Sequence, residues 1–312
     1  MGQLGRKQVS IASPMLRLSF YVVLLCFVFA ILRLPEESDN LNARSIISNG
    51  NTGRILLLTA HPDDECMFFA PTITALAGIP RTLDAGNHRK DAAAIYSLCL
   101  SIGDADRLGY IRRRELDLSL DVLGILKSNS WVLDHPDLKD NMSSHWSPAI
   151  IANTITPYII EHQISTILTF DEKGVSNHPN HKSLREGVIH FLRYYDHPTL
   201  PPPRLFTLIT VPLTTKYTSI IAALLAKFDL YKHRLFHHIR LLLRHDLTSY
   251  FPHNPNASQE FTPVFISGIF EYSLAIRAMR KHASQLVWFR YLYVIFSRYM
   301  WVNEWAEVKI SL

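Results

Sequence analysis

In the stretch RILLLTAHPDDECMFF, Arg54 to Phe69, the chain passes straight from an apolar run into a histidine, a proline and three consecutive acids. The run Ile55–Leu58 has the length and composition of a strand buried on both faces, and the helix after it is expected from about Glu65 to Leu76. Acids packed this closely repel one another, so a fold that holds them calls for a cation to offset the repulsion. Outward from this stretch, short apolar runs alternate with amphipathic segments. The strands are AIYSLCLS, SWVLD, STILTF and LFTLITV, and the helices are expected at about 111–123, 148–162 and 181–194. This alternation predicts an α/β fold, a Rossmann-like domain with a mainly parallel sheet.

In such sheets ligands collect beyond the carboxyl ends of the strands. TAHPDDE and TFDEKGVSNHPNH both follow strand runs directly, which sends His61, Asp63, Asp64, His178 and His181 toward one crevice. Zinc binds imidazole nitrogen and carboxylate oxygen, and a catalytic zinc keeps three protein ligands beside an open position for water. Two histidines and one aspartate suffice, and the remaining carboxylate is free to act as general base. Each fragment alone also reads as a helix entry. His61-Pro62 can precede a capping Asp63 or Asp64, and His178-Pro179 can precede a capping Asn180. Two capping turns that both carry metal-capable histidines favour the metal, and the same donors also suit iron(II) and other divalent ions.

The 312 residues suffice for one large domain or two modest ones, with 48% hydrophobic residues and a formal charge of +5. The basic residues are too scattered for a nucleic-acid arm, so no nucleic-acid partner is expected; an anionic substrate or membrane surface suits the charge better. Three cysteines, Cys26, Cys66 and Cys99, suggest no disulfide framework. Residues 1–14 form a short basic tail. Residues 15–34, containing the uncharged run Leu18–Leu32, have the roughly 20 residues needed to cross a bilayer. No small-residue cleavage pattern follows, so an uncleaved transmembrane anchor is expected rather than a signal peptide. Residues 35–52 read as a polar tether and 53–312 as the catalytic domain, with 77–93 a surface insertion.

AHPDDE, HPNH, the R-x-x-E of IRRREL and the late MRKHASQ together resemble the zinc-dependent LmbE-like de-N-acetylases. Within that family, AHPDDECMFFAPTI, LCLSIGDADRLG, FDEKGVSNHPNHKS and SQLVWFRYLYVIFSRYM resemble the eukaryotic N-acetylglucosaminyl-phosphatidylinositol de-N-acetylases, over about residues 53–302. The resemblance implies an LmbE-type fold and zinc held by His61, Asp64 and His181. It implies Asp63 as general base and His178 as the group that stabilises the oxyanion or protonates the leaving amine. Arg112 matches a substrate-contacting position. Arg113 and Arg114 read as a solvated helix face. Many bacterial relatives have HPDH where this chain has Asn180, an amide able to orient His178 but not to raise its basicity; Asp171 is the other group considered for orienting it. The implied substrate is a glycophosphoinositide lipid, deacetylated in the second step of glycosylphosphatidylinositol anchor synthesis. Two other readings are a de-N-acetylase of another N-acetyl sugar conjugate and a silent membrane scaffold. A scaffold is expected to lack a ligand or the base, and all are present.

The implied location is the endoplasmic reticulum membrane, single-pass, with catalysis on the cytoplasmic face. Charges flanking the anchor lean weakly the other way, and sequons at Asn141 and Asn256 offer a test. Ile220–Asp246 is open between a basic amphipathic helix lying on the membrane and a core-packed helix with a basic outer face. Gln285–Met300, broken by Arg290 and Arg298, is not expected to cross the membrane and is read as a packed core helix ahead of an interfacial one.

Overall fold

The computed structural model describes residues 14–33, 36–37, 46, 53–77, 93–243 and 262–310. Among these, eight strands form one sheet in the order β1-β7-β8-β6-β5-β2-β3-β4. The strands are β1 (Glu36–Glu37), β2 (Arg54–Thr59), β3 (Ala94–Cys99), β4 (Ser130–Val132), β5 (Thr166–Phe170), β6 (Arg204–Leu208), β7 (Val264–Ile266) and β8 (Val302–Val308). β4, β3, β2, β5 and β6 run parallel, with Leu57 opposite both Ser97 and Leu168. β8, β7 and β1 extend the sheet antiparallel beyond β6. Helices cover both faces of a parallel sheet, which is why β2 and β5 are apolar runs with hardly an exposed residue.

Chain order reverses between β2 and β5. β2 passes to β3 on one side, and β5 passes to β6 on the other, so the crevice at their carboxyl ends is the switch point where ligands bind in this architecture.

The expected first helix is two: α2 (Asp64–Phe68) and α3 (Ala70–Leu76), after the N-terminal α1 (Pro14–Arg33). Pro71 lacks an amide hydrogen and cannot bond back to the Met67 carbonyl, which interrupts the run at Phe69. The next helices are α4 (Gly109–Val122), α5 (Pro148–Glu161), the single turn α6 (Gly174–Asn177) and α7 (Pro179–Arg193). α7 begins two residues earlier than expected, because Pro179 is pre-set for a first helical turn and His178, not Asn180, is the cap. α8 (Leu213–Lys216), α9 (Ser219–Leu243), α10 (Ile269–Met279) and α11 (Trp288–Phe296) follow.

The aromatic core under the site is Phe69, Phe170 and Trp305, with Phe69 and Phe170 ring centres 4.8 Å apart. Burying each phenylalanine contributes about 1.5–3 kcal/mol. The segment read as a tether is partly docked: β1 pairs with β7, and Ile46 is buried, its carbonyl accepting from Thr166 Oγ1 at 2.9 Å. α1 exposes Leu18, Phe20, Val23, Leu25 and Phe27. Among the described residues no helix is long and apolar enough to cross a membrane. Most of the expected insertion at 77–93, and the sequon at Asn256, lie outside the described residues.

One expectation about burial is overturned. α11 is not a packed core helix: Val294 is its buried residue, while Trp288, Phe289, Tyr291, Leu292, Ile295 and Phe296 are exposed. An apolar periodicity reports a face, not the medium that the face meets.

Candidate active site

Immediately after β2 the chain turns through Pro62 and Asp63. Asp63 takes φ 119°, a left-handed value that is strained for a side chain with a Cβ. Two carboxylates hold the turn. Asp64 Oδ2 accepts from the amides of Ala60 and His61 at 3.0 and 2.9 Å, and Glu65 Oε2 accepts from the Asp63 amide at 3.1 Å. The three acids of the run therefore differ in what they do: Glu65 supports the turn, Asp64 directs its other oxygen into the crevice, and Asp63 projects separately.

His181 arrives on the first turn of α7. Its ring stacks on Phe170 at 4.1 Å, and its Nδ1 lies 3.1 Å from the carbonyl of Gly174. A carbonyl only accepts, so Nδ1 carries the hydrogen and Nε2 presents a lone pair. His61 Nε2 faces two acceptors, Asn180 Oδ1 at 3.1 Å and Asp140 Oδ1 at 3.2 Å, and so donates. The amide orientation of Asn180 is fixed by its own contacts: Nδ2 donates to Ser144 O, and Oδ1 accepts from Asn141 N. His61 Nδ1 is left as a second lone pair.

These two nitrogens lie 3.3 Å apart, and Asp64 Oδ1 is 3.2 Å from His181 Nε2. Three acceptor atoms converge with no protein donor among them. The electrostatics agree. Burial disfavours a charge on His61, yet Asp140, Asp64 and Asp63 outweigh it and raise its pKa. Burial likewise opposes a charged Asp64, but His181 and His61 pull its pKa well down. The pocket thus favours positive charge at this point, and two imidazoles with one carboxylate suit zinc.

His178 completes the histidine cluster, with its ring centre 4.7 Å from that of His61 and 5.0 Å from that of His181. Its Nδ1 accepts from the Asn180 amide at 3.2 Å, so Nε2 bears the hydrogen and the ring is a donor, not a ligand. Burial and the two neighbouring histidines push its pKa down to about 4.

Asp63 is buried, with Arg290 Nη2 at 3.1 Å and Arg112 Nη2 at 3.7 Å from Oδ2. The Arg290 contact is an ion pair off hydrogen-bond alignment, and Oδ2 has no hydrogen-bond partner. Burial raises the Asp63 pKa, against the pull of both guanidinium groups, which suits a carboxylate that must accept a proton.

Arg112 acts as a clamp. Its Nη1 donates to Gly103 O at 2.9 Å and lies 3.4 Å from Asp140 Oδ2, while Nη2 donates to Pro62 O at 2.8 Å. Arg113 and Arg114 are exposed on α4, as expected of a solvated face. The side-chain amide of Asn180 orients His61, not His178. Asp171 does not face His178 either: Oδ1 caps the amides of Lys173 and Gly174, and Oδ2 accepts from Thr210 N. The acid nearest His178 is Asp140, at 3.9 Å.

Three residues of the site carry no role in the sequence reading. Asp140 follows β4, and the strand-end rule that located His61 and His178 also reaches this loop. Arg290 comes from α11 and His282 from the loop between α10 and α11, for which no strand-end cue exists. His282 Nε2 is 2.7 Å from Glu65 Oε1, which also accepts from Ser119 Oγ at 2.5 Å. The short run MRKHASQ thus supplies the support behind Glu65.

The site now has its relatives. The family profile described as PIG-L, GlcNAc-PI de-N-acetylase, matches residues 56–192, which hold His61, Asp63, Asp64, Asp140, His178 and His181. A probable N-acetylglucosaminyl-phosphatidylinositol de-N-acetylase of Schizosaccharomyces pombe is 31% identical over 281 residues, covering 90% of this chain and 95% of that protein. The N-acetylglucosaminyl-phosphatidylinositol de-N-acetylase of Bos taurus is 36% identical over 256 residues, 82% of this chain and 83% of that one. The enzyme of that name in Saccharomyces cerevisiae is 33% identical over 261 residues, 80% of each. With these lengths matched, the chain belongs to the N-acetylglucosaminyl-phosphatidylinositol de-N-acetylase family.

Proposed function

We propose that this protein hydrolyses the N-acetyl group of an N-acetylglucosaminyl phosphoinositide, leaving a free amine and acetate, with zinc held by His61, Asp64 and His181. The observation that carries the reading is the convergence of three lone-pair atoms beside a buried carboxylate of raised pKa. When bound, the ion supplies Lewis acidity toward the acetyl carbonyl and the attacking water. Asp63 accepts the proton of that water. His178 Nε2–H is a neutral donor at pH 7, because its pKa lies near 4, and so steadies the negative oxygen by hydrogen bonding. Asp63, protonated by the first transfer, then delivers the proton to the departing amine. Arg112 holds the Pro62 and Gly103 loops in register and steadies Asp140, whose carboxylate orients His61.

Residues 15–34 act as a membrane anchor in the endoplasmic reticulum, and the catalytic domain lies on its cytoplasmic face. The exposed apolar surface of α1 favours a lipid-linked substrate over a water-soluble sugar conjugate.

The test is Asp63→Asn in the full chain, assayed for acetate release from lipid-linked and water-soluble N-acetylglucosaminides. Zinc content is expected to stay at the wild-type level while turnover falls about 100- to 10,000-fold. Full activity in the variant would remove Asp63 as the base, and equal wild-type rates on the two substrates would remove the lipid preference.

A further inference from the structure

α9 and α11 are built inside out. On α11 the inward residues include Arg290, which reaches Asp63 Oδ2 at 3.1 Å, and Tyr293, whose hydroxyl donates to Met67 O at 3.3 Å. The outward residues are Trp288, Phe289, Tyr291, Leu292, Ile295 and Phe296, with Trp288 75% exposed. On α9 the outward stripe is Ile221, Leu225, Phe228, Tyr231 and Leu235, spaced by three and four residues as one helical face. Its buried side carries Ala222, Ala223 and the charged Lys227. A helix facing water carries the reverse arrangement.

The two faces adjoin. Ser219 Oγ, at the start of α9, donates to Ile295 O on α11 at 2.6 Å. Lys227 Nζ donates to the carbonyl of Ile31, tying α9 to α1, whose side chains are also apolar and exposed. Contiguous apolar surface of this extent marks an interaction site. Charge identifies the occupant. The two helices themselves, residues 219–243 and 288–296, carry five Lys or Arg against one acid. Of these, Lys232 is exposed on α9 beside Asp229, Lys227 is buried, and Arg290 is turned toward Asp63. A two-fold contact between copies sets this net-positive patch against itself. Anionic lipid headgroups neutralise it, and the mixture of Trp, Tyr, Leu and Lys is the composition of helices that lie in a membrane interface.

We infer that the outward faces of α9 and α11 form a surface that docks into one leaflet of an anionic lipid bilayer and holds the mouth of the site at the headgroup level. The inference rests on the proposed lipid-linked substrate. Arg290 connects the two, since it projects from the docking helix to the catalytic carboxylate and keeps a quarter of its side chain in contact with solvent. A phosphoinositide head can then enter the site while its tails stay in the leaflet.

The experiment is nitroxide depth measurement on the full chain in phosphatidylcholine vesicles containing phosphatidylinositol, in a Cys26→Ser background. Single labels go at F228C, L292C and, as a control, Y194C, because Tyr194 is 75% exposed at the end of α7. Labels at 228 and 292 are expected to collide several-fold more with oxygen than with a water-soluble nickel chelate, and the label at 194 the reverse. Equal nickel access at all three sites overturns the docking surface. So does protection from both reagents with spin–spin broadening that grows with protein concentration, because the occupant is then a second copy. Depth is independent of turnover, so a protein that docks but does not deacetylate contradicts the proposed reaction and leaves the surface standing.

Discussion

Asn180 does three things within one residue: its backbone amide caps His178 Nδ1, its Oδ1 receives His61 Nε2, and its Nδ2 reaches Ser144 O. The amide at this position therefore sets the tautomers of two histidines, one through the backbone and one through the side chain. Asn180→Ala keeps the first and deletes the second. Metal affinity, measured by competition with a chromogenic chelator, is expected to weaken about 10- to 100-fold, as for other supports of a ligating imidazole. Unchanged affinity would show that Asp140 alone orients His61. His61, Asp63, Asp64, His178 and His181 were legible in the sequence because they cluster around two His-Pro turns, one in the loop after β2 and one in the loop after β5. Asp140 and Arg290 were not, because a lone acid in a polar loop and a lone arginine in an apolar helix acquire meaning only when tertiary packing carries them to the site.

Among the elements, the loop from β5 to α7 and the support behind α2 do most to hold the ligands. Gly174 has φ +60°, its carbonyl receives His181 Nδ1, and a Cβ there would stand 2.8 Å from His181 Cβ. Gly174→Ala is expected to cost about 1–2 kcal/mol in urea unfolding, with weaker metal retention, since both the dihedral and the ligand must give way. Wild-type stability with full metal would separate the loop's conformation from the ligand's placement. The buried pair of Glu65 and His282 ties α2 to the segment after α10. Burial lowers the His282 pKa, but Glu65 outweighs it, so the folded value is raised; Glu65 is correspondingly lowered, by His282 and then Ser119, against its own burial. The raised imidazole contributes stability that is complete below its unfolded value of about 6.5 and is lost as pH rises through the folded value. His282→Gln is expected to lose about 3–5 kcal/mol at pH 6. The gap in thermal midpoint from wild type is expected to narrow as pH climbs above 6.5, whereas a constant gap from pH 6 to 9 would mean that the pair is not ionised. The parallel strands were readable because both their faces are covered, which leaves unbroken apolar runs. β7 has three residues and β8 reads VNEWAEV, too short or too mixed to stand out. α11 was readable as a helix but not as an exposed one, since its sequence carries the same period whether protein or lipid meets it.

At the scale of the molecule, the reversal of strand order between β2 and β5 opens the crevice, and the loops after those strands bring His61 and Asp64 to His181 across 120 and 117 positions of chain. The loop after β4 adds Asp140, α11 adds Arg290, and the loop between α10 and α11 adds His282. Neither half of the chain holds a complete site, so metal binding and folding of the whole domain are linked, and removing the ion by chelation should destabilise all of it. The most direct test is metal analysis by mass spectrometry on the purified full chain, wild type beside Asp64→Ala and His181→Ala, with folding checked by circular dichroism. The account predicts one zinc per wild-type chain and a loss of at least nine-tenths of it, roughly the effect of ~1.4 kcal/mol or more in binding, in each folded variant. Full zinc in either variant, or a wild-type chain that takes up none, would contradict it.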